Sequence, residues 1–345
     1  MNKIRLGFVG VGYMGQNAHL SQYGRWSELC EVVAVSDPRY EQAHEVARRF
    51  GVPHAFRNHK EMFDNVELDA VVAAQQYGHH RHLIPDLLNA KKAVLTEKPL
   101  ALSPEGGQEL VDCANKNGVL YMVGYHKRSD PASEYAKSVV LDWQKTGAFG
   151  KMRLVRISMP PGNWVGGAPP VFTTDEPYPP MERETEVLGL NKAQTSDYDV
   201  FINYYIHQVN ALRFYMGDMT MSYADPSGVL LAVHNQDGVC GTLEMAAHST
   251  SNDWQETVFV AFEKGYIKVE LPAPLADRQA GRVTIMQDND GSPVIVQPVL
   301  PPLSAMANQA RNFLLAVKGE KPAPCEASEA VKDLLLAKDY ILMKG

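Results

Sequence analysis

Ile4-Arg5-Leu6-Gly7-Phe8-Val9-Gly10-Val11-Gly12-Tyr13-Met14-Gly15 is the stretch on which the reading of this chain turns. Its apolar run predicts a buried strand, and the run ends in a Gly-x-Gly-x-x-Gly turn. A strand that feeds such a turn and then a helix opens a dinucleotide-binding unit. Each glycine meets a physical demand there. Gly10 permits the tight turn off the strand. Gly12 carries no Cβ, so the backbone can approach a pyrophosphate. Gly15 lets the helix pack close to the strand. The N–H groups around Tyr13, Met14 and Gly15, where the helix begins, face the anion. A second apolar run, Val32-Val33-Ala34-Val35, ends in Ser36-Asp37. Asp37 stands where the ribose-binding acid of such units belongs, and its charge favours NAD over NADP. Arg39 works against that preference, because it could pair with a 2′-phosphate.

The 345 residues suit two domains, here residues 1–125 and 126–345. A hydrophobic fraction of 45% with 21% charged residues fits a soluble globular protein. The net charge of −7, without a basic block, argues against a nucleic-acid partner. No apolar run approaches a membrane span. Cys30, Cys113, Cys240 and Cys325 lie far apart with no Cys-x-x-Cys pair, which predicts buried free thiols in a reducing compartment. Asn2-Lys3 leads straight into the first strand and no signal peptide is visible, so a cytoplasmic location is expected. His79, His80 and His82 lack acids or cysteines at ligand spacing, and no metal site is expected.

Up to residue 125 strand and helix patterns alternate. Helical spacing from Arg39 to Phe50 stops at Gly51. A strand from Asp69 to Ala74 precedes a helix marked by Leu83, Leu87, Leu88 and Ala90. A strand from Lys92 to Thr96 follows, then a helix opened by Ser103-Pro104-Glu105 and a strand from Val119 to Val123. Such alternation predicts a doubly wound parallel sheet. After Tyr125 the character changes. A helix from Pro131 to Lys145 ends at Gly147, and a strand runs from Lys151 to Ser158. The loop over 159–197 holds seven prolines and is too long for a plain connection, so it is read as functional or as an oligomer arm. A helix from Tyr198 to Met216 stops at Gly217. From Thr220 to Gln297 the pattern is strands, with hairpin turns at Asp237-Gly238, Lys264-Gly265 and Asp290-Gly291. Helices near Ala305–Val317 and Glu326–Met343 close the chain. The fold class is therefore α/β: an N-terminal Rossmann domain, then a C-terminal α+β domain with a large, mostly antiparallel sheet.

Leu95-Thr96-Glu97-Lys98-Pro99-Leu100-Ala101 lies at the carboxyl end of the strand from Lys92 to Thr96, where ligands sit in open α/β sheets. Pro99 biases Lys98 away from helical dihedrals. Together with the opening fingerprint, this motif resembles the glucose–fructose oxidoreductase, inositol dehydrogenase and rhizopine-catabolism family over nearly the whole chain. The resemblance implies that Lys98 is catalytic and that Glu97 and Lys98 border the cofactor. The family's Thr-Pro-x-x-x-His after the fourth strand reads here Gln75-Gln76-Tyr77-Gly78-His79-His80. His80 matches, while Gln75 and Gln76 replace Thr-Pro on the nicotinamide side. Tyr125 and Arg128 resemble the family's segment leading into the second domain, whose arginine lies near the site. The family's helix with Asp and His four residues apart corresponds to Asn203 and His207, with asparagine in place of aspartate. That spacing puts both on one helix face, and Asp199 and Asn210 extend the stripe. Buried polar groups must be satisfied, so the stripe calls for a site or a partner.

The resemblance implies hydride transfer between NAD and a secondary alcohol of a sugar, inositol or related polyol. His207 is the expected base. Lys98 would donate to the reacting oxygen, and Asn203 would orient a hydroxyl or the His207 ring. Tyr125, Arg128 and Asp199 are expected at the substrate, with Trp164, Phe172 and Tyr178 as candidates for an aromatic platform. The same residues suit a glycosidase of this fold that uses NAD for transient oxidation and elimination. They also suit a keto-sugar reductase. A non-catalytic sensor fits less well, because Lys98 and His207 are both present. Val229, Leu231 and Val233 alternate with Leu230 and Ala232, so both sheet faces carry apolar residues. The resemblance implies a homodimer or homotetramer through this sheet.

Overall fold

The computed structural model describes residues 3–289 and 291–345. The chain divides into two compact units. The first comprises the chain up to Tyr125, Ala168–Lys192 and Gln309–Leu334; the second comprises His126–Gly167, Ala193–Asn308 and Leu335–Gly345. The division therefore does not follow one cut in the chain. Most of the long proline-rich loop packs with the first unit, as does part of the closing helical segment.

The first unit holds a six-stranded parallel sheet. Its strands are β1 (Ile4–Val9), β2 (Cys30–Ser36), β3 (His54–Phe56), β4 (Ala70–Ala73), β5 (Ala93–Glu97) and β6 (Tyr121–Gly124). They lie in the order β3-β2-β1-β4-β5-β6. The order reverses between β1 and β4, and ligands bind at the carboxyl edge of such a switch point. Leu6, Phe8, Val35, Leu95 and Met122 bury themselves in one core, which Phe313 and Leu314 complete from the helix Ala305–Val317. Each such side chain contributes about 1.5–3 kcal/mol by leaving water. β3 has no counterpart in the sequence reading. It is a three-residue edge strand with an exposed and two half-buried positions, so it has no apolar run to betray it.

The second unit holds an eight-stranded sheet, from β7 (Met152–Ser158), β8 (Met219–Ala224), β9 (Leu230–Asn235) and β10 (Cys240–Glu244) to β11 (Glu256–Phe262), β12 (Gly265–Leu271), β13 (Arg282–Asp288) and β14 (Pro293–Val296). The order is β14-β13-β12-β11-β7-β10-β9-β8. All pairs are antiparallel except β7 with β10, which is parallel. The turns at Asp237-Gly238 and Lys264-Gly265 form as read. Of the Asp290-Gly291 turn, Asp290 lies outside the described residues, while β13 and β14 pair around it. The helix expected from Tyr198 begins at Lys192 instead. Its first turns, Lys192 to Asp197, are mostly exposed, so no apolar periodicity marks them. The thiols also differ from expectation. Cys30 and Cys325 are buried, but Cys240 is exposed, because it occupies an outward position of β10.

The helix Pro131–Thr146 is capped by Asp130, whose carboxylate accepts from the Ala132 N–H at 2.8 Å, and it ends at Gly147 in the left-handed region. It presses Trp143 onto the sheet. The indole is 2% exposed, 4.2 Å from Phe149 and edge-on to Phe262 at 5.1 Å between ring centroids. A Cβ at Gly265 would lie 2.9 Å from this ring, so glycine there makes room for it. Trp143→Ala should cost about 3–5 kcal/mol through lost burial and the cavity left behind. Thermal unfolding checks this: a midpoint lowered by several degrees is expected, and one within about 1 °C of wild type would contradict it.

Candidate active site

In the first unit the glycine turn is shaped by its own backbone. Gly10 has φ +86°, and a Cβ there would meet the Ala74 carbonyl at 3.2 Å. A Cβ on Gly15 would overlap the Gly10 carbonyl oxygen. Gly12 differs from both: the nearest atoms to a Cβ there are the Tyr178 hydroxyl at 3.8 Å and Arg39 Nη2 at 4.0 Å. Backbone is thus held off Gly12, leaving a cradle bounded by donors. Tyr13 is exposed and Met14 half-buried beside it. The first turns after the fingerprint, Gly15–Leu20, are wound as a π-helix. Gln16 braces them from below, its amide donating to the Val11 carbonyl at 2.9 Å.

Asp37 follows β2 and is 2% exposed. One carboxylate oxygen accepts from the Val11 N–H at 3.2 Å, and the other from Arg39 N at 3.1 Å and Arg39 Nε at 3.2 Å. The acid is thereby tied to the turn itself. Arg39 in turn lies against the Tyr178 ring, with 3.8 Å from its Cζ to the ring centroid.

Glu97 and Lys98 stand at the carboxyl end of β5. Glu97 is buried, and His19 Nε2 meets its carboxylate at 2.6 Å. Burial pushes the Glu97 carboxyl up, but the His19 hydrogen bond and the charges of His19 and Lys98 outweigh it, so the acid stays below its ordinary range. His19 lies in the helical segment that the fingerprint opens, so this contact joins the two sequence motifs of the unit. Sequence reasoning missed His19. The only signal was a histidine between Ala18 and Leu20 on an otherwise buried segment. Lys98 is half-buried, and its peptide bond to Pro99 is cis.

The loop after β4 carries Gln75, Gln76 and His80. Both amide atoms of Gln75 are enclosed, and among the described residues neither has a hydrogen-bond partner. Such a group beside Gly10 calls for a ligand to satisfy it. Gln76 is exposed. His80, expected on the nicotinamide side, is instead fully enclosed. Its Nδ1 lies 3.0 Å from the Leu100 carbonyl, which can only accept, so the proton is on Nδ1. Burial pushes the imidazole down to about 4, and the backbone of Leu100 and Gln75 offsets this only in part. His80 is therefore a neutral strut of this loop.

The second unit gathers the other candidates. His207 is 9% exposed and meets His126 edge-on, with 4.4 Å between ring centroids. Arg128, buried, donates from Nε to Asn210 Oδ1 at 2.6 Å. Asn203 is exposed and Asp199 half-buried, so the polar stripe runs from solvent into the unit. Beside His207, Gln208 donates to Glu256 at 2.7 Å, and Lys127 is ion-paired with the same carboxylate. Burial holds the Lys127 ammonium below its ordinary pKa, and Glu256 offsets part of this. His126, Lys127 and Glu256 were missed in the sequence. Glu256 did leave a trace, since it is in phase with Val258, Val260 and Phe262 on the buried face of β11. Tyr125 is buried in the first unit. The candidates for an aromatic platform are divided between the two units. Trp164 belongs to the second unit, and its carbonyl accepts from Leu275 N. Phe172 packs on the first unit's core and Tyr178 on Arg39, because the loop residues that carry them are bonded to the first unit. Among the described residues no group of three or more acids, histidines or cysteines is placed to hold a metal ion. No helix among them is long and apolar enough to cross a membrane.

A parallel sheet of this order, with a glycine turn at its switch point and an acid after β2, defines a dinucleotide-binding Rossmann unit. The residues fit NAD(P): Gly12 leaves the approach open, Asp37 follows β2 with Arg39 bonded to it, and Gln75 presents an unsatisfied amide. Residues 4–125 match the family model described as an oxidoreductase family with an NAD-binding Rossmann fold. The chain is 24% identical over 243 residues to myo-inositol 2-dehydrogenase of Thermotoga maritima, a match covering 70% of this chain and 63% of that protein. It is 23% identical over 353 residues to rhizopine catabolism protein MocA of Rhizobium meliloti, covering 98% and 94%. Among solved structures, KijD10, a 3-ketoreductase from Actinomadura kijaniata in complex with NADP and TDP-benzene, superposes with a TM-score of 0.71 at 17% identity, covering 99% of this chain and 98% of that one.

His80 makes a testable contribution to acid stability. Its folded pKa, about 4, lies below the ordinary 6.5, so between these values the unfolded chain binds the extra proton and stability falls as pH falls. The unfolding free energy of His80→Asn should change less steeply over this window, by up to about 1.4 kcal/mol per pH unit. Denaturant titrations between these pH values measure it, and identical slopes for variant and wild type would contradict the assignment.

Proposed function

We propose that this chain is an NAD-dependent oxidoreductase that moves a hydride between the nicotinamide and a secondary alcohol of a sugar, inositol or related polyol. The observation that carries the reading is the His19–Glu97 contact of 2.6 Å. It ties the segment that begins at the glycine turn to the motif that bears Lys98, so the dinucleotide cradle and the lysine share the carboxyl edge of one sheet. Bound NAD supplies the hydride acceptor. Asp37 accepts from the adenosine ribose hydroxyls and repels a 2′-phosphate. Arg39 is already engaged by Asp37 and Tyr178, which limits its use for that phosphate.

In this reading Lys98 donates a hydrogen bond to the reacting oxygen and steadies the developing alkoxide. His207 takes the hydroxyl proton in oxidation and returns it in reduction. Asn203 holds a neighbouring hydroxyl, since an amide can orient but not take a proton. Tyr125, Arg128, Asp199 and Trp164 belong to the substrate's surroundings, with Arg128 set by Asn210. The polyol class is supported by the inositol dehydrogenase among the relatives. A homo-oligomer formed through the eight-stranded sheet belongs to the same reading. β9 supports it, since Leu231 and Val233 are buried while Leu230 and Ala232 on its other face are half-exposed.

The test is a screen of NADH and NADPH formation across inositols, sugars and uronates, repeated with Lys98→Ala on the best substrate. NADH formation is expected, and Lys98→Ala should lower kcat by about 10²-fold or more while its NAD affinity is kept. Near-wild-type kcat in the variant would remove Lys98 from the mechanism. Glycoside cleavage without net NADH would replace the dehydrogenase with a redox-assisted glycosidase.

A further inference from the structure

The proline-rich segment Ala168–Lys192 departs from the second unit's chain and packs on the Rossmann unit. It is fastened at both ends. Near its start, the Phe172 carbonyl accepts from Gln16 at 2.9 Å and from Gln42 at 3.0 Å. The Phe172 and Thr174 N–H groups donate back to the same two side chains, each at 3.1 Å. Farther along, Glu184 is buried: its N–H donates to the Gly78 carbonyl at 2.8 Å, and its carboxylate accepts from Ser103 Oγ at 2.6 Å and Leu102 N at 3.1 Å. Gln16 and Gln42 flank the glycine turn on one side, and Gly78 lies in the loop after β4 on the other. The stretch between the fastenings, Pro177-Tyr178-Pro179-Pro180-Met181-Glu182-Arg183, therefore crosses the carboxyl edge of the sheet over the fingerprint. Its three prolines restrict the backbone, which lowers the entropy lost in holding it there.

Tyr178 is the side chain this strap turns toward the turn. Its ring covers one face of the Arg39 guanidinium, and its hydroxyl lies 3.8 Å from where a Gly12 Cβ would be. In a fingerprint of this type the diphosphate passes close to the second glycine. The Tyr178 hydroxyl and Arg39 Nη2 bound that same space, and both are donors. Burial, and then the nearby Asp37 carboxylate, push the phenol above its ordinary value, so the hydroxyl keeps its proton at neutral pH.

We propose that the strap is a wall of the dinucleotide site, in which Tyr178 stacks on Arg39 and donates its hydroxyl to the cofactor's diphosphate over Gly12. The inference rests on the proposed dinucleotide-dependent function and adds a binding residue from outside the Rossmann sequence. It also assigns Arg39: with Nε on Asp37, its face on Tyr178 and Nη2 toward Gly12, it serves the diphosphate rather than a 2′-phosphate. A wall fastened at two ends has to yield for the cofactor to leave, so its chief effect is on dissociation.

The experiment measures NADH and NADPH binding to the full chain by nicotinamide fluorescence, with dissociation rates by stopped flow, for wild type, Tyr178→Phe and Tyr178→Ala. Thermal unfolding verifies that each variant is folded. Tyr178→Phe should weaken NADH binding about fivefold through the lost hydroxyl alone. Tyr178→Ala should weaken it about tenfold or more, mostly as faster dissociation. Unchanged or tighter NADH binding in Tyr178→Ala would overturn the proposal while leaving the dinucleotide reading intact. Should folded Tyr178→Ala be unobtainable, unchanged affinity in Tyr178→Phe overturns the diphosphate contact. If wild type binds neither nucleotide, the functional reading fails and this one with it.

Discussion

The turn from Gly10 to Gly15 is the constraint from which the rest of the candidate site follows. Its backbone closes on itself so tightly that a methyl group at Gly15 would occupy the Gly10 carbonyl oxygen, and Gly10 sits at a dihedral that side chains rarely adopt. That closure sets the start of the first helical segment. The segment carries His19 to Glu97, and through Glu97 it fixes the strand end that presents Lys98. Asp37 is tied to the same turn by the Val11 N–H. The acid proposed for a ribose, the cradle proposed for a diphosphate and the lysine proposed for the reacting oxygen are thus referred to one piece of backbone.

A buried histidine–glutamate pair is a costly way to join two motifs, since both groups leave water. Its value here is geometric. A hydrophobic pair in the same place would hold the strand end and the helix together, but it would leave the backbone and charge around Lys98 unset. The Lys127–Glu256 pair in the second unit repeats the device, with Gln208 beside His207 and Trp254 completing the hydrogen bonds of the carboxylate. In both units a buried carboxylate orders the neighbourhood of a residue proposed to act on the substrate.

Much of this was legible in the sequence, and the reasons for the gaps are physical. The Rossmann unit could be read because glycine spacing, an apolar strand and a terminal acid are local signals. The antiparallel sheet could be read from alternation and from Gly-containing turns. β3 could not, because an exposed edge strand has no burial pattern. The first turns of the helix from Lys192 were hidden for the same reason. Lys98, Asn203 and His207 were nominated by motif. His19, His126 and Glu256 were not, since each is ordinary in its local context and acquires a role only through a partner distant in sequence. Phe172 and Tyr178 were noticed for their residue type, but their contacts with the first unit's core and with Arg39 were not foreseen. A proline-rich loop has no periodicity from which its docking surface can be inferred, and the side-chain amides of Gln16 and Gln42 that receive it give no pattern of their own.

The central claim is that the Gly10–Gly15 turn and Asp37 hold the two ends of a dinucleotide's diphosphate-ribose segment. A crystal structure of the chain with NAD tests it most directly. The account predicts the diphosphate against Gly12 and the adenosine ribose hydroxyls on Asp37. A nucleotide bound with its diphosphate away from Gly12, or with its adenosine ribose out of reach of Asp37, would contradict it.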